Sequence, residues 1–441
     1  MITYNVFKRT FCLILFFCNL AWSATNTSEH ILTNGLKIIT IEDHRHPVAV
    51  VNFVYHVGSI YEPSHLTGIS HLLEHLMYGS TSHVSHSQME AFFNQYSGHH
   101  NAYTSNEQTV YTITIHPSDL SKVLLLEKDR LTNLRINEPA FSKEKAVVLQ
   151  EKAAQLDHLP WQRALNQFRS IIFTTGGYHN PVIGYADDIK DLGVEQLKTW
   201  YDAWYVPNNL TIVVAGDIRP DQVIDNVNQV FGSLPSKKLP KKLAIEKTAR
   251  HGELRLDLLE PVKNKLYVVG YLLPKPENQS LKTEIILHLV DDLLLNKSQG
   301  ILSRKLIKEL HIATNIYSEI DYMKLTQGYF YFFIVPNENI HFYSIKQKLN
   351  SIITQLTEAS ISTDRLEAAK RKLLAKYTYH LDAVREQAEE ATQLDGMGLS
   401  IHRYKDIETV TQSITSADIV AFMQQYFCEN CHKAILTVKP A

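Results

Sequence analysis

Along the chain, short apolar runs alternate with longer amphipathic stretches. Strands are expected at 48–57 (VAVVNFVYHV), 109–115 (TVYTITI), 265–273 (KLYVVGYLL) and 329–335 (YFYFFIV), where β-branched and aromatic residues cluster. Between these runs, apolar residues recur at helical spacing. Two consecutive helices between strand pairs argue against a regular parallel βαβ sheet. The pattern also repeats. Leu197 to Tyr205 reads as a helix ending in an aromatic pair, followed by Pro207-Asn208-Asn209 and the strand-like run Leu210 to Gly216. Ile419 to Phe427, Glu429-Asn430-Cys431 and Ala434 to Val438 follow the same plan, with Ile419 lying 222 positions after Leu197. Lys145 and Lys370 recur at a nearly equal offset of 225. The expected fold class is therefore α+β: two tandem homologous domains, each an antiparallel sheet with helices packed on one face. The Lys- and Pro-rich segment 232–248 reads as the linker, which makes 24–231 and 249–441 the two domains.

The first residues follow a different rule. Lys8 and Arg9 precede an apolar run from Phe11 to Trp22, broken only by Asn19, with small Ala21 and Ser23 at its end. That run is too short to span a bilayer as a helix and reads as a cleaved signal peptide, residues 1–23. No later stretch is long and apolar enough to cross a membrane. The expected location is outside the cytoplasm, periplasmic or secreted. Removal of the signal takes Cys12 and Cys18 with it and leaves Cys428 and Cys431, whose spacing at a turn suits a small structural disulfide. The whole chain of 441 residues has 44 Lys and Arg against 46 Asp and Glu, a formal net charge of −2. So balanced a chain offers no global field for nucleic acid or an anionic membrane. Function has to come from a local site.

The sharpest local pattern is His71-Leu72-Leu73-Glu74-His75, in a stretch bounded by Gly68 and Ser70 before it and Gly79 after it. On a helix, positions i, i+3 and i+4 share one face, so His71, Glu74 and His75 point the same way while Leu72, Leu73 and Leu76 pack elsewhere. Two histidines one turn apart can reach a single ion, and the carboxylate beside them can act as a base. This is the reversed form of the His-Glu-x-x-His arrangement. With 21 histidines in the chain, such a motif can also arise by chance. Catalytic zinc takes three protein ligands, so a third must come from another element. The stretch Phe141 to Asp157 reads as a helix packed through Val147 and Val148, with Glu144 and Glu151 two turns apart on nearly one face. On spacing alone, Glu138, Glu144 and Glu151 are equal candidates.

Several further runs accompany the motif: Gly58-Ser59-Ile60-Tyr61-Glu62, Asn101-Ala102-Tyr103-Thr104, Thr109-Val110-Tyr111, Pro181-Val182-Ile183-Gly184, and Pro207-Asn208-Asn209 with Gly216-Asp217. With Glu144 to Glu151 they resemble the pitrilysin/insulinase family of zinc metallopeptidases, the inverzincins, in the half-length branch that includes the mitochondrial processing peptidase. The resemblance runs from about Asn34 to the C-terminus. It implies one zinc ion per chain on His71, His75 and Glu151, with Glu144 in support and Glu74 as the general base of a metal-assisted hydrolysis of peptide bonds. It implies peptide substrates that lie as an added strand along the segment carrying Asn101 and Ala102. It also implies a dimer with a related half-length subunit, either a second copy or a different chain. Many relatives carry an Arg and a Tyr seven apart in the second half. Here Tyr317 is present, but Leu310 stands where the Arg would be. His99 and His100, just before Asn101, are read as partly exposed loop residues that could approach the metal, and His65, His83 and His86 as loop residues. The rival function is a non-catalytic peptide-binding subunit, against which the intact His71, Glu74 and His75 speak.

Overall fold

The computed structural model describes residues 26–174, 177–241, 252–274, 280–296 and 299–441. The signal peptide and part of the linker lie outside them. Two sheets organise the chain. The first contains β1 (Asn26–Ile31), β2 (Lys37–Glu42), β3 (Ala49–Tyr55), β4 (Ser97–Thr104), β5 (Thr109–Ile115) and β6 (Leu210–Gly216), in the order β1-β2-β6-β3-β5-β4. The second contains β7 (Glu253–Glu260), β8 (Leu266–Pro274), β9 (Ala313–Asp321), β10 (Gln327–Pro336) and β11 (Lys433–Pro440), in the order β7-β11-β8-β10-β9. The strands expected from the sequence appear as β3, β5, β6, β8, β10 and β11. All six lie inside their sheets, where both faces are buried and the apolar run is continuous. Pairing is antiparallel except at one place in each sheet: β2 runs parallel to β6 and β7 parallel to β11. The return strand of each half slots between strands laid down earlier, and its direction fixes that parallel pair.

In the first half, five helices matter most: α1 (Ile69–Leu76), α2 (His86–Tyr96), α3 (Leu120–Asn133), α4 (Glu138–Lys152) and α5 (Pro160–Ile172). Leu72, Leu73 and Leu76 of α1 are buried in the main core, as their spacing required. Val148 of α4 is buried too, but Val147 is 40% exposed, so the packing face of α4 is narrower than the sequence suggested. Among the described residues no helix is long and apolar enough to cross a membrane. Cys428 and Cys431 are joined in a disulfide, as their spacing suggested.

The two halves exchange helices. α5 leaves the first half and lies on β7 and β11 of the second sheet. Phe168 is fully buried and meets the Tyr331 ring edge-on at 5.2 Å, and Arg163 ion-pairs with Glu260. In return, the Val384–Gly396 helix of the second half covers β3 and β6. Its Val384, Ala388 and Ala391 pack on Ile39, Val50, Val54 and Val213. The two exchanged helices start at Pro160 and Val384, 224 positions apart, between the offsets of 222 and 225 found in the sequence repeat. Each sheet thus has its own helices on one face and a helix from the other half on the opposite face. Polar pins accompany the apolar contact. The Asn52 amide donates to Thr392 at 2.9 Å, Tyr103 donates to Glu389 at 2.6 Å, and Lys37 pairs with Asp395 at 2.8 Å.

Candidate active site

α1 is only two turns long, and its start is built by tertiary structure rather than by a side-chain cap. Gly68 precedes it at φ 88 and makes no side-chain cap bond. A Cβ at Gly68 would lie 2.5 Å from the Ile183 carbonyl oxygen, so both the positive φ and the close approach require glycine there. The buried Glu62 carboxylate takes over the cap, accepting the backbone N–H of Gly68 at 2.8 Å and of Ser70 at 2.9 Å. Burial pushes the Glu62 carboxyl up to about 7, and the two N–H donors pull it back. Thr67, one residue earlier, donates to Asp188 and accepts the Tyr185 N–H, tying the entry of α1 to the 181–188 segment.

With α1 fixed, His71, Glu74 and His75 face α4, which packs against it. The His71 and His75 rings lie 4.8 Å apart, edge to face. Nε2 of His75 is 3.4 Å from Glu151 Oε2, and Nε2 of His71 is 3.8 Å from the same oxygen. Those separations are long for hydrogen bonds but suit shared ligation. Ligand bonds of about 2.0–2.1 Å in a tetrahedron put the donor atoms roughly 3.3 Å apart. His71, His75 and Glu151 are the one group of at least three His, Cys, Asp or Glu among the described residues whose donor atoms lie within 4.8 Å of one another. Two imidazoles and a carboxylate form a donor set found in catalytic zinc sites and would leave a coordination position on a bound ion for water. Burial, with the neighbouring His75 adding to it, pushes the His71 imidazole down to about 4, so His71 is neutral near pH 7, as a ligand must be. Glu144 Oε2 lies 3.5 Å from Nδ1 of His75, on the ring edge away from Glu151. The geometry therefore separates three glutamates that spacing could not. Glu151 joins the donor group, Glu144 stands behind His75, and Glu138 sits at the start of α4, two turns back.

Glu74 is buried and lies outside the donor group. Its Oε2 accepts the Thr104 hydroxyl at 2.5 Å. Burial raises its pKa above the usual carboxylate value, and the Thr104 hydrogen bond offsets part of that rise. A carboxylate so placed is a stronger base than an exposed one. Thr104 is the last residue of β4, the outer strand of its sheet, so among the described residues one edge of β4 has no partner strand. Asn101 and Ala102 are on β4, paired through the backbone with Thr112 and Tyr111 of β5. Ala102 shares a strand face with Thr104, on the α1 side. Asn101 is exposed and shares the opposite face with Tyr103, toward the Val384–Gly396 helix.

His99 and His100 belong to this strand rather than to a loop. His100 stacks on Phe93 of α2 at 4.4 Å and takes no part in the donor group. His86 opens α2, and His65 and His83 lie in loops as expected. Leu310 is exposed, and Tyr317, on the outer strand β9, stacks on Phe333 at 4.7 Å. The roles of Glu62, Thr67 and Thr104 went unread in the sequence. Their partners stand 6, 121 and 30 positions away, and no local pattern joins them.

Residues 37–185 match the family model described as Insulinase (Peptidase family M16), and residues 191–373 match the Peptidase M16 inactive domain. The chain belongs to the insulinase family of peptidases. Its similarity to the zinc protease PqqE of Helicobacter pylori is 23% identity over 404 residues, covering 90% of this chain and 89% of that protein. The probable mitochondrial-processing peptidase subunit beta of Arabidopsis thaliana is 28% identical over 217 residues, 48% of this chain and 40% of that one. A crystal structure of a protease from Helicobacter pylori superposes with a TM-score of 0.86 at 22% identity, covering 94% of this chain and all of that one. The periplasmic protease PqqL from Escherichia coli gives a TM-score of 0.80 at 17% identity, with this chain spanning 48% of its length. These structural likenesses establish the fold of an insulinase-family half, and relatives of the chain are zinc proteases.

Proposed function

We propose that this chain is a zinc-dependent endopeptidase that cleaves unfolded peptides. The observation that carries the reading is the convergence of Nε2 of His71, Nε2 of His75 and a carboxylate oxygen of Glu151 on one point, with Glu74 beside it but outside the donor group. His71, His75 and Glu151 hold the ion, and Glu144 orients the His75 ring from behind. Zinc bound there supplies Lewis-acid polarisation of a peptide carbonyl and acidifies water. Glu74 accepts the proton that the attacking water loses and returns it to the amine nitrogen as the C–N bond breaks. Thr104 keeps the Glu74 carboxylate aimed. The free edge of β4 takes the peptide as an added strand through main-chain hydrogen bonds, which a folded protein cannot offer, and Asn101 and Ala102 line that track.

The chain acts outside the cytoplasm after loss of residues 1–23, and it works in a dimer with a related half-length subunit. Leu310, where many relatives carry an Arg, favours a partner that supplies the missing grip. The decisive experiment is metal analysis of the purified mature chain together with cleavage of an unstructured fluorogenic peptide. One zinc per chain is expected, with activity lost on chelation and restored by zinc. Zinc binding without any cleavage, alone or with a related subunit, would favour the non-catalytic peptide-binding role.

A further inference from the structure

α1 carries both histidine ligands and Glu74 on only eight residues. A helix of two turns is not stable by itself in water, so beyond the core packing of Leu72, Leu73 and Leu76 its register relative to α4 depends on what holds its ends. Glu62 holds the first end, as described above. At the other end, the Arg130 side chain rises from α3, and its Nε–H donates to the carbonyl of Met77, the residue that closes α1, at 3.0 Å. Arg130 is 3% exposed. Its guanidinium ion-pairs with the buried Glu127 at 3.1 Å and lies over the rings of Tyr111 at 4.6 Å and Tyr78 at 5.1 Å. Glu127 is fixed in turn by the Tyr55 hydroxyl at 2.7 Å. A buried carboxylate thus sits at the positive end of the α1 dipole and a buried guanidinium at its negative end, each hydrogen-bonded to the backbone there. Both charges favour the helix and pin its two termini to different elements.

We infer that Glu62 and Arg130 are positioning residues that clamp the metal helix from its ends and set the affinity of the site for zinc. The inference rests on the zinc reading of His71, His75 and Glu151. Neither residue touches the ion or the peptide. They act through the register of α1, which decides whether the two histidine nitrogens meet the Glu151 oxygen. Arg130→Lys keeps a cation beside Glu127 but loses the planar fork that reaches Met77. Glu62→Gln keeps the shape of the side chain but leaves one acceptor oxygen for two N–H groups. Glu127→Gln is the control, because it weakens the buried pair and leaves the Arg130 bond to Met77 in place.

The test is zinc affinity by competition with a chromophoric chelator, measured well below the melting temperature, together with the Tm of each metal-free protein. Arg130→Lys and Glu62→Gln are expected to weaken zinc binding about 10-fold, while Glu127→Gln lowers Tm and leaves affinity within about threefold of the wild type. If Arg130→Lys does not fold, Glu62→Gln alone decides. Unchanged affinity in the folded variants overturns the clamp, and so does an equal loss in Glu127→Gln, which would mark general loosening of the core. A wild-type chain that takes up no zinc overturns the zinc reading, and the clamp with it.

Discussion

Replacing Glu74 by Gln separates metal binding from proton transfer. Gln has nearly the shape of Glu, and its amide oxygen can still accept the Thr104 hydroxyl that now lies 2.5 Å from Glu74 Oε2. Glu74 is outside the donor group of His71, His75 and Glu151, so zinc content should stay at the wild-type level. What is lost is a base in the transition state. General-base catalysis contributes about 10²–10⁴-fold, which corresponds to roughly 3–5.5 kcal/mol of barrier. The assay is kcat/KM on a quenched fluorescent peptide, with zinc measured by mass spectrometry on the same sample. Thr104→Val refines the test. The Thr104 hydrogen bond lowers the Glu74 pKa against the effect of burial, so removing it raises that pKa. Because the active form is the ionised one, the acid limb of kcat/KM should move to higher pH in Thr104→Val. A Glu74→Gln protein with full zinc and activity within tenfold of the wild type would refute the base assignment.

Glu151→Gln should weaken zinc binding more than Glu144→Gln, whose expected loss is about 10-fold because it only faces His75; dialysis against graded chelator ranks the two. Phe168→Ala removes a fully buried ring from the exchanged helix α5 and should cost about 3–5 kcal/mol, read by denaturant titration. Because α5 is packed on the second sheet, both halves should unfold in a single calorimetric transition, and two separated transitions would contradict the exchange. Burial raises the Glu390 carboxyl to about 7, with Tyr377 donating to it and the charge of Glu284 nearby. Its folded pKa lies above its unfolded value near 4.5, so the native state binds more protons between those limits and this group makes stability fall as pH rises from about 4.5 through 7. Glu390→Gln should therefore raise Tm at pH 8 and change little at pH 4, and an equal effect at both would argue against the buried carboxyl as its origin.

Six of the seven interior strands, the duplication and the face shared by His71, Glu74 and His75 are properties of local pattern. Alternation and 3.6-residue periodicity follow from backbone geometry alone, so β3, β5, β6, β8, β10 and β11 are legible as apolar runs. The outer strands are not. β4 reads Ser-Gly-His-His-Asn-Ala-Tyr-Thr, largely polar, because it is an outer strand with an exposed face; its place beside α1 came from resemblance, and only its pairing with β5 makes it a strand. Spacing left Glu138, Glu144 and Glu151 equal, resemblance pointed to Glu151, and only the tertiary structure brings that residue to the two histidines. All three are polar positions of one helix, and what separates them is which one the packing of α4 on α1 brings to His71 and His75. The exchange of α5 and the Val384–Gly396 helix lies further still from the sequence. An amphipathic helix announces that it has an apolar face but not which sheet that face will cover. That is decided by which surfaces remain bare when both halves are present: β3 and β6 on one side, β7 and β11 on the other. Local pattern thus set which side chains share a helix face, and long-range packing set where His71, His75 and Glu151 meet.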